Sequence, residues 1–83
     1  MLSAIEIIKI DKASTEILEL LDEIQDCESR LTNVTATKKY AVDAHDAELV
    51  AESVNLEEQL SGLIETDERI IKLNAQLIEY ILN

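Results

Sequence analysis

The stretch "IDKASTEILELLDEIQDCESRLTNV", from Ile10 to Val34, repeats an apolar pattern every seven residues. The apolar residues at two positions of each repeat, three residues apart, are Ile10 and Ala13, Ile17 and Leu20, Ile24 and Cys27, and Leu31 and Val34. Two such positions per heptad lie on one side of an α-helix and form the seam through which it packs on another helix. The stretch therefore predicts a long helix with one packed face, which Ile7, Leu18 and Leu21 widen.

The beginning and the end of this first arm are both marked in the sequence. Ser3 followed by Glu6 is a capping box, in which each side chain bonds to the backbone N–H of the other residue. After Val34 the next seam position is occupied by Lys38, within a stretch rich in threonine and asparagine, which form helices less readily than most residues. We therefore expect the first arm to cover residues 3–35.

A second heptad repeat follows, shifted by one residue from the phase of the first. Its apolar residues are Val42, Leu49, Leu56, Leu63, Ile70 and Leu77. The shift fits either a turn between two helices or a skip residue in one continuous helix, which would be about 125 Å long. We predict a turn over residues 36–42 with Lys38 and Lys39 at its tip, then a second arm over residues 43–82 with Asp43 as N-cap. The predicted fold is all-α, an antiparallel helical hairpin resembling a coiled coil.

Length and composition suit one such domain over residues 1–83. The chain has no proline, phenylalanine or tryptophan, two tyrosines and a single glycine, so it lacks the residues that usually turn and fill a compact mixed fold. The seven-residue spacing continues unchanged across Gly62, which places that glycine inside the second arm. If Gly62 broke the arm, the domain would have three helices.

The second arm is apolar over a wider face than one neighbouring helix covers. Its apolar residues often come in adjacent pairs, such as Ile70 and Ile71, and adjacent helical residues point about 100° apart. We expect the first arm to pack on the line of the second repeat, and a second copy or another protein to complete the hairpin. The residues predicted to bind that partner are Leu60, Ile64, Ile71, Leu73, Ile78 and Ile81.

Asp67 and Asn74 are seven residues apart at the edge of this face. Polar residues at such positions either fix the register of a partner or lie at a solvated margin. We expect the solvated margin.

No group of residues indicates catalysis or metal binding. His45 and Glu48 have the spacing of two metal ligands on a helix, but His45 is the only histidine, and acids near a helix N-terminus explain the cluster. Cys27, the only cysteine, stands at a seam position, where a free cysteine acts as a small apolar residue. We therefore expect no catalytic residue, no metal and no cofactor, and a protein that is not an enzyme.

The chain is acidic, with a formal net charge of −11. Residues 1–42 carry five Lys and Arg against eight Asp and Glu, and residues 43–83 carry two against ten, so the charge is −3 and −8. Nucleic acids and anionic membranes attract basic surfaces, so neither is an expected partner. The N-terminal "MLSAIEIIKIDK" does not match a secretory signal, which makes the cytoplasm the expected compartment.

The segment "DAELVAESVNLEEQLSGLIETDERIIKLNAQLIEYI", residues 46–81, resembles the C-terminal half of the small helical export chaperones of flagellar and type III secretion systems. The resemblance rests on Leu56, Leu60, Leu63, Ile70 and Leu77, with acidic residues between them. It implies a short, acidic, all-helical cytoplasmic protein that holds an aggregation-prone secreted subunit on an apolar helical face.

The sequence thus favours a protein-binding module or small chaperone that covers an apolar helical surface of a partner. The alternative is a structural homo-oligomer in which two hairpins form a four-helix bundle. A third class, an acidic inhibitor that mimics nucleic acid, would need carboxylates regularly spaced on one face.

Overall fold

The computed structural model describes all 83 residues, and nearly all of them belong to two long helices. Helix α1 covers Ala4–Asp43 and helix α2 covers Ala47–Leu82. The two helices pack side by side along their whole length and make a rod of 64 × 14 × 14 Å. The predicted all-α antiparallel hairpin is confirmed.

The beginning of α1 has the predicted capping box. The backbone N–H of Glu6 donates to Ser3 Oγ at 3.1 Å, and the backbone N–H of Ser3 donates to Glu6 Oε1 at 3.0 Å. These bonds satisfy donors that the first turn of a helix leaves without intrahelical partners. They also lower the pKa of the Glu6 carboxyl, because they favour its charged form.

The predicted turn over residues 36–42 is wrong, because α1 runs without a break to Asp43. The observed turn is Ala44–Asp46, so the first arm is eight residues longer than predicted and the second begins at Ala47. Weak helix propensity amounts to less than about 0.7 kcal/mol per residue, and packing against α2 outweighs it. The hydroxyls of Thr32 and Thr37 donate to the backbone carbonyls four residues earlier, which lets both threonines stay inside the helix.

The turn is a C-terminal cap of α1 that leads directly into α2. The backbone N–H of Asp46 donates to the carbonyl of Ala41 at 2.9 Å, and that of His45 donates to the carbonyl of Val42 at 3.1 Å. This is the Schellman arrangement, and His45 occupies its left-handed position with φ of 56°. Asp46 Oδ1 then accepts from the backbone N–H of Leu49 at 3.1 Å, so Asp46, and not Asp43, is the N-cap of α2.

Gly62 lies within the continuous α2 helix, as the unbroken spacing predicts. A side chain at this position would meet no other atom within 4 Å. The glycine is therefore required neither by a tight turn nor by a close approach of the two helices.

Candidate interaction surface

The face of α1 that packs against α2 is the predicted heptad seam. Ala13, Ile24 and Cys27 are buried, and the other seam residues from Ile10 to Val34 are half-buried. The same spacing continues through Lys38 to the fully buried Ala41. The seam of α1 is therefore longer than its apolar residues alone suggest.

The face of α2 that packs against α1 differs from the predicted one. Along the helix, buried and half-buried residues recur at alternating steps of three and four: Val50, Ser53, Glu57, Leu60, Ile64, Asp67, Ile71, Asn74, Ile78 and Ile81. Together with the seam of α1 they form the hairpin seam. The expectation that α1 packs on the line of Leu56, Leu63, Ile70 and Leu77 is wrong, since that line lies beside the seam and its three leucines stay exposed.

We call this line, extended by one heptad to Leu49, the outer stripe of α2. Each of its residues directly precedes a seam residue, so the outer stripe lies about 100° around the helix from the residues that follow it. Leu56 is 45% exposed, Leu63 47% and Leu77 42%, whereas Leu49 and Ile70 are half-buried. Leu73 and Tyr80 are also exposed and lie beside the stripe, a further 40° around the helix. The result is an apolar band on the outside of the hairpin.

The residues predicted to bind a partner occupy two different places. Leu60 is buried in the hairpin seam, and Ile64, Ile71, Ile78 and Ile81 are half-buried there. Their side chains therefore serve the packing of α2 on α1. Leu73, by contrast, is 64% exposed and belongs to the outer apolar band.

The seam of α2 is interrupted by polar residues, whereas its outer stripe is apolar throughout. Glu57 is one of the interruptions, and two groups of α1 bind it: Lys38 Nζ lies 2.8 Å from Glu57 Oε1, and the Thr35 hydroxyl donates to Glu57 Oε2 at 3.0 Å. These hydrogen bonds lower the pKa of the Glu57 carboxyl, the bond from Lys38 most of all. Lys38 is therefore part of the seam and does not lie at the tip of a turn.

Asp67 is a second polar seam residue, and the expectation of a solvated margin is wrong for it. Its side chain is 5% exposed, and its Oδ2 atom has no hydrogen-bond partner. The neighbouring group on α1 is the carboxyl of Glu23. A hydrogen bond with Asp67 and the repulsion between the two charges raise the pKa of Glu23, with a smaller effect from Asp26. Asn74, at the next equivalent position, is half-buried.

Cys27 is buried in the seam close to this carboxyl pair. Burial raises the pKa of its thiol, and the charges of Glu23, Asp26 and Asp67 raise it further. At neutral pH the thiol is therefore protonated and packs as a small side chain.

His45 lies exposed in the turn. No three His, Cys, Asp or Glu side chains of the chain are grouped so that they could hold a metal ion. The position of His45 is explained by the cap that ends α1.

Exposed apolar side chains on α1 do not form a comparable line. Ile5, Ile7 and Ile8 cluster at the open end of the rod, Leu18 and Leu21 lie farther along, and Tyr40 and Val42 lie near the turn, with exposed polar residues between these groups. Single exposed apolar residues are common on protein surfaces, whereas a contiguous apolar band marks a binding surface. The outer stripe of α2 is therefore the best candidate site.

Sequence reasoning missed this site because it assigned the outer stripe to the hairpin's own seam. One signal that points to the correct assignment is charge: Lys38 stands at a seam position of α1, and an acid at a seam position of α2 would pair with it. Glu57 supplies that acid, directly after Leu56 of the outer stripe.

Neither helix contains a stretch that is both long and apolar enough to cross a membrane. In comparisons with known proteins, no family model, no curated protein and no solved structure matches this chain.

Proposed function

We propose that this protein is a non-enzymatic interaction module whose outer stripe covers an apolar helical surface of another polypeptide. The observation that carries the proposal is the contrast between the two faces of α2. Serine, glutamate, aspartate and asparagine side chains lie in the hairpin seam, while a line of leucine and isoleucine at seven-residue spacing lies outside it and leaves Leu56, Leu63 and Leu77 exposed. A chain that only had to fold as a hairpin would gain more by burying the leucine face.

The geometry of the stripe fits a helix as its ligand. The stripe runs without interruption from Leu49 to Leu77, which corresponds to about 42 Å at 1.5 Å per residue. An amphipathic helix binds such a surface through apolar residues spaced three and four apart. The resemblance of residues 46–81 to export chaperones favours a chaperone role, in which the covered helix belongs to an aggregation-prone protein.

A second candidate is the structural homo-oligomer, with two hairpins in one four-helix bundle. It is favoured by the even spacing of the outer stripe, which matches the same stripe on a second copy. Both candidates use the same surface and differ in what covers it.

A model peptide tests the surface itself. The probe is a fluorescent helix of about 28 residues with leucine at the two seam positions of every heptad and lysine beside them. Binding is measured by anisotropy at nanomolar protein concentration. Leu63→Glu places a charge in the middle of the outer stripe and is expected to weaken binding by about 10-fold or more, since an unpaired buried charge is costly.

Leu18→Glu is the matched control, because it makes the same change at an exposed leucine of α1 outside the stripe. Both variants add one negative charge, so attraction between the acidic protein and the lysines is equal in the two. Binding that is lost equally in both variants, or in neither, would refute the proposal.

A further inference from the structure

We infer that the outer stripe is covered by the outer stripe of a second copy, with the two α2 helices antiparallel and a two-fold axis beside Leu63. The inference rests on the proposed function, since it names the partner of the same surface. It is carried by the symmetry of the stripe and by the distribution of charge along α2.

The stripe is self-complementary when α2 is reversed. Its five residues are evenly spaced, and Leu63 is the middle one. An antiparallel second copy therefore places Leu49 level with Leu77, and Leu56 level with Ile70, on both sides of the axis. A closed two-fold dimer needs the same patch on both copies, and this stripe provides it.

The charges on α2 favour the antiparallel arrangement over the parallel one. From Ala47 to Glu68 the helix carries seven acids and no Lys or Arg, whereas the rest of it carries Arg69 and Lys72 with one acid. A parallel pair would place the two acidic halves side by side. An antiparallel pair places the half with Arg69 and Lys72 beside the acidic half of the other copy.

The axis at Leu63 determines which residues of the second copy lie at the same height along the dimer as the basic residues of α2. Arg69 lies six residues beyond it and Lys72 nine, so they stand level with positions 57 and 54 of the second copy. Glu52 and Glu58 flank those positions and are exposed. Arg69 directly precedes Ile70 of the stripe, and its side chain is long enough to reach Glu52 of the second copy. Lys72 and Glu58 each follow a stripe residue by two positions, about 200° around the helix, and point away from it.

The hairpin also has enough surface on this side for a stable dimer. A standard specific interface buries about 800 Å² on each partner, which is about an eighth of the 6270 Å² surface of this hairpin. One of the four sides of a rod offers about a quarter of its surface. A standard interface would therefore occupy about half of the side that carries the outer stripe.

Distance measurements between spin labels test the arrangement directly. Gly62→Cys and Gln76→Cys are each made in a Cys27→Ala background and labelled, and helix content is checked by circular dichroism. Position 76 lies 13 residues from the axis, so two labels there are about 40 Å apart along an antiparallel dimer. Labels at position 62 are expected to be about 10–20 Å apart. Short distances at both positions would indicate a parallel dimer and overturn the inference.

Charge exchange provides a second test by sedimentation equilibrium. Glu52→Lys and Arg69→Glu each bring like charges together and are expected to weaken dimerisation about 2- to 10-fold, while the double variant restores it. If net charge alone governed association, Glu52→Lys would strengthen it, and the inference would be wrong.

The two proposals fail in different ways. A chain that is monomeric at about 100 μM but binds the model peptide through Leu63 refutes the second copy and leaves the proposed function intact. A monomeric chain that does not bind the peptide refutes both.

Discussion

Asp67→Leu is expected to stabilise the hairpin by about 2–4 kcal/mol. Asp67 is 5% exposed, and one of its carboxylate oxygens has no hydrogen-bond partner. A buried polar group without a partner costs about 1–3 kcal/mol, and a leucine buried there adds about 1–2 kcal/mol of apolar stabilisation. The leucine is larger than the aspartate, and some loss from overpacking keeps the sum below the total of the two effects.

Urea unfolding followed by circular dichroism, at a fixed protein concentration, measures the change. Asp67→Asn removes the charge and keeps the shape, so its stabilisation is expected to be about half as large. Glu65→Leu makes a similar exchange at an exposed acid two residues away and is expected to stay within about 0.5 kcal/mol of the wild type. If Asp67→Leu gained no more than Glu65→Leu, or lost stability, the assignment of Asp67 to the seam would be wrong.

The same variant is expected to change how stability depends on pH. The pKa of Glu23 is raised in the hairpin, mainly by its hydrogen bond with Asp67, so the folded chain binds this proton more tightly than the unfolded chain. This contribution of Glu23 to folding stability is fully present below the ordinary pKa of glutamate, and it is lost as the pH rises through the raised pKa of Glu23. Glu6 and Glu57, whose pKa values are lowered, act in the opposite direction in both proteins. The difference between wild type and Asp67→Leu cancels the contributions of Glu6 and Glu57 and leaves that of the carboxyl pair Glu23 and Asp67, so the advantage of the variant should grow from pH 4 to pH 7.

Three further predictions concern the seam and the caps. Ile71→Glu is expected to destabilise the hairpin by about 2–4 kcal/mol, because Ile71 lies in the seam. At a protein concentration low enough to keep the hairpin monomeric, Leu77→Glu on the outer stripe should change the unfolding free energy far less, and the reverse order in urea unfolding would contradict the seam. His45→Gly is expected to raise the unfolding free energy by about 0.5–1 kcal/mol, since glycine adopts the positive φ at this position without strain; a loss of stability in thermal melts would speak against the capped turn. Ser3→Ala is expected to lower stability by about 1 kcal/mol through loss of the capping box, and faster amide exchange in the first turn of α1 checks it.

Patterns that act within one helix could be predicted from the sequence. The seam from Ile10 to Val34, the capping box at Ser3 and the continuity of α2 across Gly62 all depend on residues at most seven positions apart. Such local relations determine which face of a helix is apolar and where a helix begins. They also determine that the second arm has more apolar surface than a hairpin can bury.

The position of the turn and the rotation of α2 were decided only by the tertiary structure. Hydrophobicity favours the outer stripe as the seam of α2, but the cap at His45 and Asp46 fixes the direction in which α2 leaves the turn. The ion pair between Lys38 and Glu57 then forms only if the face of α2 that carries Glu57 is turned toward α1. A heptad repeat specifies a face but not its neighbour, since that choice depends on contacts between residues far apart in the chain. For this reason the sequence predicts how much apolar surface must be covered, and the fold determines which line of side chains is left outside to be covered.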